Sequence, residues 1–365
     1  MSIASSPRND TKNAKLKLCW WTHFPTPNQS AMVKSLRDDG VDAVICYFKK
    51  GYDRYRRSLG WKESPLKQYE YRFSSVIEAS GKVDGFCSRI HVVPSYSDLV
   101  SWKLMAWCIF KGIPFVASVE NSRGRARSLL VRKIFAKVCD VFALKVFCVG
   151  RKAMEEFSAL GVRKSKIAWT SYAIDDSFFS PPPGRLRNEV VFAFVGALIR
   201  PKGVDVLLAA FKKLHSRFPE TRLLVLGDGD CRRSFEGCEA VRLHPPVEPE
   251  KVKGILSAAD VIVLPSRRDA WGVALLEGAA LGKPMIATKE TGASELISSL
   301  PSNGVCIENL DEESLFNAMA IYARDADRVL IDGACAYKTA DVVRSSALAK
   351  RMKADLLGAI GAVSA

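Results

Sequence analysis

The chain reads as an α/β protein built of two doubly wound domains that face each other across a cleft. Three observations predict this. Short apolar runs alternate with helical patterns through residues 1–180, a turn-rich break follows, and the same alternation restarts near residue 190. A length of 365 residues exceeds one ordinary core and suits two domains of roughly 150–200 residues each.

In the first half, Leu16–Trp20, Val41–Phe48, Gly85–Val93, Pro114–Val119 and Val146–Val149 read as short strands. Ser30–Asp39, Ser97–Phe110 and Arg127–Val138 lie between them and carry apolar residues at three- and four-residue spacing. Such alternation argues for parallel βαβ units and an open sheet covered by helices. The break is Asp175-Asp176-Ser177-Phe178-Phe179-Ser180-Pro181-Pro182-Pro183-Gly184, whose end is the most turn-prone run in the chain. Beyond it the strands are Val190–Val195, Arg222–Leu226, Val261–Leu264 and Pro284–Ala287. The helices are Val204–His215, Lys251–Ala258 and Val273–Ala280, with a helix-rich tail after them. The expected division is 1–180, 181–344 and a terminal helix in 345–365 that crosses back onto the first domain. Ligands of such sheets bind at the carboxyl ends of the strands, and two facing sheets place those ends in one cleft.

Composition narrows the class. Hydrophobic residues make up 48% and charged residues 25%, which is globular rather than disordered or fibrous. No apolar stretch reaches the roughly 18 residues of a membrane span, and Met1–Lys17 is polar and basic with no apolar core of a secretory signal. The ten cysteines are scattered without a Cys-x-x-Cys pair, as expected of buried thiols in a reducing compartment. Cys231 and Cys238, seven apart in a loop-like stretch, do not have the ligand spacing of a zinc site. These features point to the cytoplasm. Charge is uneven. Residues 1–180 hold 30 basic against 16 acidic side chains, whereas residues 181–365 hold 24 against 23, so almost the whole excess of +15 sits in the first half. That asymmetry points to a negatively charged partner facing that half.

Two segments carry the chemistry. In Phe194-Val195-Gly196-Ala197-Leu198-Ile199-Arg200-Pro201-Lys202-Gly203 a buried strand runs into a glycine turn and then a Lys-Gly before an amphipathic helix. Gly196 would admit close backbone approach to a ligand, and Lys202 would offer a mobile cation to phosphate oxygens. The second segment runs from Leu264 to Pro284. A strand ends at Pro265, a polar loop holds Asp269 and Trp271, and Gly272 turns the backbone into a helix beginning Val273-Ala274. The free N–H groups of that helix can receive an anion. Glu277 follows Asp269 by eight residues, about two helical turns, so both carboxylates can face the strand ends. Carboxylates suit ribose and sugar hydroxyls because each accepts several O–H bonds. A helix cap and a solvated face would explain either acid alone, but poorly explain the pair around a glycine turn. Asp228-Gly229-Asp230 follows a strand and contains a glycine, so it reads as a β-turn rather than a metal motif.

With Thr291-Gly292-Ala293-Ser294-Glu295-Leu296, these segments resemble the retaining glycosyltransferases of family 4, the group 1 transferases of GT-B fold with two Rossmann-like domains. The likeness is strong over residues 190–300, extends to Tyr172-Ala173-Ile174-Asp175 as an interdomain approach, and covers the N-terminal half in layout only. It implies transfer of a sugar from a nucleoside-diphosphate donor, of UDP or GDP type, with retention at the anomeric carbon and no metal or other cofactor. The catalytic set it implies is Lys202 on the diphosphate, Glu277 on the ribose and Asp269, in place of the family's first Glu, on the transferred sugar. Gly196, Arg200, Trp271, Gly272, Val273 and Ala274 would complete the donor site. Besides Asp269 for Glu, a second departure matters: the diphosphate-binding Arg of the family is Ala197 here, so either Arg200 or another cation substitutes, or stabilisation of the leaving group is weaker.

On the acceptor side Glu120 ends an apolar strand, where family members often carry a polar cleft residue. His23 and His91 are weaker candidates. Arg123, Arg125, Arg127, Arg132 and Lys133 sit beside Leu129, Leu130 and Ile134, and with Lys49–Arg57 they suggest an anionic surface, either inner-leaflet lipid or a lipid-diphosphate-linked acceptor. Polysaccharide or glycolipid assembly is the expected setting. A transferase making a soluble sugar-phosphate or small glycoside is the alternative, and a nucleotide-sugar epimerase a further one. Nucleic-acid binding is not expected, since no RNA-recognition or zinc-finger signature is present.

Overall fold

The computed structural model describes residues 15–48, 52, 57, 65–94, 98–121, 129–180, 189–298 and 301–364. It contains two wholly parallel sheets. The first comprises β1 Lys17–Thr22, β2 Asp42–Tyr47, β3 Glu70–Arg72, β4 Ile90–Pro94, β5 Phe115–Glu120, β6 Val146–Val149 and β7 Ile167–Thr170. Its strand order is β3-β2-β1-β4-β5-β6-β7. Helices α1 Pro27–Asp38, α2 Val76–Lys82, α3 Leu99–Lys111, α4 Leu129–Phe142 and α5 Arg151–Ala159 connect these strands. The second sheet comprises β8 Val190–Val195, β9 Thr221–Leu226, β10 Val241–His244, β11 Val261–Leu264, β12 Met285–Thr288 and β13 Gly304–Ile307, in the order β10-β9-β8-β11-β12-β13. Its helices are α6 Val204–Arg217, α7 Pro249–Ser257, α8 Val273–Ala280, α9 Glu312–Arg324 and α10 Ala326–Ala340, and α11 Ser345–Ser364 ends the chain. Val146–Val149 and Val190–Val195 thus lie in different sheets.

The central strands form where the sequence has uninterrupted apolar runs, because a strand covered by helices on both faces excludes polar side chains from both. Phe192, Ala193, Phe194, Val261, Ile262 and Val263 have no exposed surface. The expected strand over Gly85–Val93 is shorter than its sequence suggests. Gly85 takes a left-handed φ of 59° and Phe86–Ser88 forms a 3-10 turn, so β4 begins only at Ile90.

Strand order reverses between β1 and β4 in the first sheet and between β8 and β11 in the second. At such switch points the loops leave in opposite directions and open a crevice at the carboxyl edge. Both crevices open into one cleft of about 1160 Å³ lined by residues from each domain.

The chain crosses between domains twice, and the crossings are bonded to each other. Ile174 N donates to Val343 O at 3.0 Å, and Ser345 N donates to Ile174 O at 2.9 Å. The Arg344 guanidinium stacks 3.6 Å over the Phe179 ring. Helix α11 then packs on the first domain: Leu348, Ala349, Met352 and Leu356 join a core with Leu18, Met32, Val33 and Leu36. Lys353 holds the end of α1 through Asp39 at 3.0 Å. Truncating Leu348, which is buried against that core, should cost about 2–5 kcal/mol. The expected result is a lower urea midpoint for Leu348→Ala by tryptophan fluorescence, with Ile331→Ala, at an exposed position of α10, close to unchanged.

Candidate active site

The donor-side elements follow β8 and β11, the two strands at the second switch point. After β8, Gly196 donates its N–H to Leu226 O at 3.0 Å. Arg200–Lys202 then forms a 3-10 turn that ends at Gly203 with φ 69°. A Cβ on Gly203 would lie 1.8 Å from the Pro265 carbonyl oxygen, so this turn and the loop after β11 touch only because residue 203 has no side chain. Arg267 N donates to Pro201 O at 2.9 Å. The Arg267 guanidinium grips both oxygens of Asp205, at 2.6 and 2.9 Å, and reaches Arg200 O at 2.7 Å. Two segments remote from each other in sequence therefore behave as one body.

On the cleft side of that body, Lys202 Nζ lies 2.5 Å from Asp269 Oδ2. Asp269 is fixed in turn: its N–H donates to Glu290 O at 3.1 Å and its carbonyl accepts Gly292 N at 3.1 Å. Gly272 caps α8 with φ 93°, and a Cβ there would meet Thr291 and Leu264 at 2.6 and 2.8 Å. Val273 and Ala274, in the first turn of α8, line the cleft, where the leading N–H groups of a helix lack intrahelical acceptors. Glu277, one turn further on, also lines it. It has no hydrogen-bonding partner among the described residues, and burial alone pushes its carboxyl up to about 7.

Arg200 departs from expectation. Its side chain is 81% exposed, lies 3.9 Å from Asp205 and does not line the cleft. In a three-residue helical turn, positions 200 and 202 point in different directions, and the Arg267–Asp205 contact holds residue 200 on the outside. No arginine lines the cleft among the described residues; its cations are Lys202 and Lys253, beside the imidazole of His23. Trp271 lines the cleft but serves the domain interface. Its indole is 1% exposed and lies so close to Gly150 of the first domain that a Cβ there would be 2.2 Å away. Glu295, from the third resembling segment, also bridges the domains, accepting Arg151 N at 2.6 Å and Trp169 Nε1 at 2.8 Å. A carboxylate at the first residue of α5 is favoured by the unpaired N–H groups there. Asp228, of the Asp-Gly-Asp segment, accepts the Gly229 N–H at 2.8 Å in a local turn.

The opposite wall comes from the first switch point. Glu120 ends β5 inside the cleft and accepts the Tyr172 hydroxyl. His23, directly after β1, lines the cleft with its Nε2 3.2 Å from Asp98 Oδ2. Asp98 follows β4 and caps α3 through Ser101 N at 2.9 Å. The carboxylate therefore fixes the orientation of the imidazole in the cleft. The place of His23 directly after a switch-point strand is what sets it on the cleft wall. His91 is a core residue. Its Nδ1 accepts Trp21 Nε1 at 2.9 Å, its Nε2 meets Phe86 O at 3.1 Å, and burial lowers its pKa to about 4.

The basic cluster is also revised. Arg132 is not available to a partner, because its guanidinium pairs with the buried Glu156. Lys133 is exposed on α4. Arg123, Arg125, Arg127 and most of Lys49–Arg57 lie outside the described residues.

Residues 189–325 match the family model described as Glycosyl transferases group 1. That match falls wholly within the second domain. The D-inositol 3-phosphate glycosyltransferase of Corynebacterium urealyticum is 31% identical over 190 residues, 45% of each chain. The gpi3 subunit of phosphatidylinositol N-acetylglucosaminyltransferase from Schizosaccharomyces pombe is 23% identical over 189 residues, 49% of this chain and 41% of that one. The chain thus spans less than half the length of the curated relatives it matches. Across both domains, the crystal structure of Anabaena HepE in complex with UDP and glucose superposes with a TM-score of 0.71 at 14% identity, covering 94% of this chain and 100% of that one. The architecture is the GT-B fold.

Glu277 supports a prediction about stability. A carboxyl whose value is raised from 4.5 to about 7 in the native chain holds its proton more tightly folded than unfolded. Stability therefore falls as pH rises from about 4.5 to 7, and the full penalty persists above that window. Glu277→Gln should melt higher than the parent at pH 8, and this advantage should vanish as pH approaches 4.5. A gain independent of pH in calorimetry would contradict the assignment.

Proposed function

We propose that the chain is a glycosyltransferase that moves a sugar from a nucleoside-diphosphate sugar, of UDP or GDP type, to an acceptor hydroxyl with retention of anomeric configuration. The observation that carries this reading is the single rigid unit formed by the turn 200–203 and the loop 265–269. It presents Lys202, Asp269 and the start of α8 at one switch point, with Glu277 behind them. The group 1 match of residues 189–325 supports it.

In this reading the diphosphate lies against Lys202 and the first N–H groups of α8. The ribose hydroxyls bond to Glu277, and the sugar hydroxyls to Asp269. The acceptor oxygen attacks the anomeric carbon on the face from which the diphosphate departs. The C–O bond to phosphate breaks as the new one forms, and the acceptor proton passes to the leaving phosphate oxygen. Negative charge grows on that phosphate, so Lys202 and the helix terminus stabilise the transition state where it differs most from the ground state. A fixed cation and backbone dipoles supply this stabilisation without a metal. His23 and Glu120, across the cleft, form the acceptor wall. Assembly of a polysaccharide or glycolipid is the proposed setting.

Lys202→Ala and Glu277→Ala should each lower transfer on the order of 10²–10³-fold while leaving the chain folded. The measurement is nucleoside-diphosphate release, after a thermal-shift screen of UDP and GDP sugars has identified the donor, since a ligand of the native state raises its melting point. Near-normal turnover in either folded variant, or loss of turnover in EDTA, would overturn this proposal.

A further inference from the structure

The first domain carries exposed apolar surface that the proposed reaction does not use. Helices α3 and α4 lie side by side, joined by the Trp102–Phe135 ring contact at 5.8 Å. Each has a buried face, with Leu104, Met105 and Cys108 on α3 and Phe135, Ala136 and Cys139 on α4. Each also has a second, outward stripe. On α3 that stripe is Leu99, Lys103, Ala106 and Phe110, spaced four, three and four residues apart and so on one side of the helix. On α4 it is Leu130, Lys133, Ile134, Lys137 and Val141. Leu99 is 76% exposed, Phe110 83% and Leu130 65%. Helices α6 and α8 on the second domain show no large apolar side chain so exposed.

Charge on these stripes has one sign. Lys103, Lys111, Lys133 and Lys137 are exposed, and none has a carboxylate partner among the described residues. Lys111 Nζ lies 5.7 Å over the Phe110 ring. Helix α3 contains no acidic residue, and Asp140, the one acid of α4, is bound to Arg163 at 2.9 Å. Apolar side chains standing out between lysines match a bilayer surface, where the apolar groups enter the headgroup boundary and the ammonium groups stay at the phosphates. A second copy of the chain fits badly, because a two-fold contact sets each patch against itself and brings its lysines together.

We propose that the outer faces of α3 and α4 dock the protein on an anionic membrane surface. The placement serves the reaction proposed above, though binding itself does not depend on it. Helix α3 begins at Asp98, which holds His23 in the cleft, and α4 follows β5, which ends at Glu120 in the cleft. The docking face therefore begins at the rim of the acceptor wall, where an acceptor embedded in the bilayer would be offered. Among the described residues no helix is long and apolar enough to cross a membrane, so docking would be peripheral.

The test is co-sedimentation of the full chain with phosphatidylcholine vesicles and with vesicles containing phosphatidylglycerol. Binding is expected only to the acidic vesicles, and added salt should weaken it. Phe110→Ser combined with Leu130→Ser, and Lys103→Glu combined with Lys133→Glu, should each lower binding by about tenfold or more. Both should keep the parent's melting temperature and its thermal shift with donor sugar. Lys212→Glu, on α6 of the other domain, should bind as the parent does. The proposal is overturned if the parent binds neither vesicle, binds both equally, or binds no better than the double variants. It is likewise overturned if light scattering without lipid shows a dimer that Phe110→Ser separates.

Discussion

Gly203 meets the Pro265 carbonyl at a distance that leaves no room for a side chain, and the donor side of the cleft depends on that approach. It lets the turn after β8 rest on the loop after β11, so that two strands at a switch point deliver their loops as one surface. The Arg267 grip on Asp205 locks the outer side of the contact, and Lys202 with Asp269 occupies the inner side. A longer side chain at 203 would separate the loops and move Lys202 from Asp269, with every donor residue itself intact. Pre-organisation of this kind matters most where charge develops during reaction, since groups already in place need not reorganise.

Three of the ties between the second domain and the first differ in chemistry. Trp271 packs against Gly150, Glu295 accepts two N–H groups from the other domain, and the two crossing strands bond to each other at Ile174. Trp271 sits two residues from Asp269, and Glu295 follows closely on Thr291, whose side chain packs against Gly272. The residues that set the spacing of the domains thus belong to the same loops as those that line the donor side. A change in domain separation would be felt at Asp269 and at the start of α8.

Much of this was legible in the sequence, and what was missed has physical causes. Every interior strand appears as an apolar run because helices cover both its faces. The unread strands, β3, β7, β10 and β13, are the four sheet edges. Two of them, Glu70-Tyr71-Arg72 and Val241-Arg242-Leu243-His244, are polar or alternating because one side meets solvent or loop; the other two, Ile167–Thr170 and Gly304–Ile307, are short and mainly apolar. Spacing brought Lys202, Asp269 and Glu277 to the cleft, since helix and turn geometry act over a few residues. Spacing could not show that Arg200 faces outward, that Arg132 is consumed by Glu156, or that Trp271 is an interdomain contact. Those outcomes depend on partners remote in sequence, as does the exposure of Phe110.

The charge of the molecule is arranged against a simple view of its donor. The chain carries an excess of +15, yet Glu120, Asp175, Glu250, Asp269 and Glu277 face the cleft against Lys202 and Lys253. With Ala197 in place of an arginine, a diphosphate entering that site would meet few fixed cations, and the nearest is already bound to Asp269. On the proposed reading the pair must exchange partners: Lys202 turns to the phosphate, and a sugar hydroxyl replaces it on Asp269. That exchange makes the sugar part of phosphate binding. A nucleoside diphosphate without its sugar would free Lys202 only by leaving Asp269, 13% exposed, without its cation and with the Trp271 N–H at 3.3 Å, and a partly buried carboxylate that loses its cation is costly. On the proposed reading, a site built this way would favour the loaded donor over the spent nucleotide, which is the discrimination a transferase needs when its own product competes for the same loops.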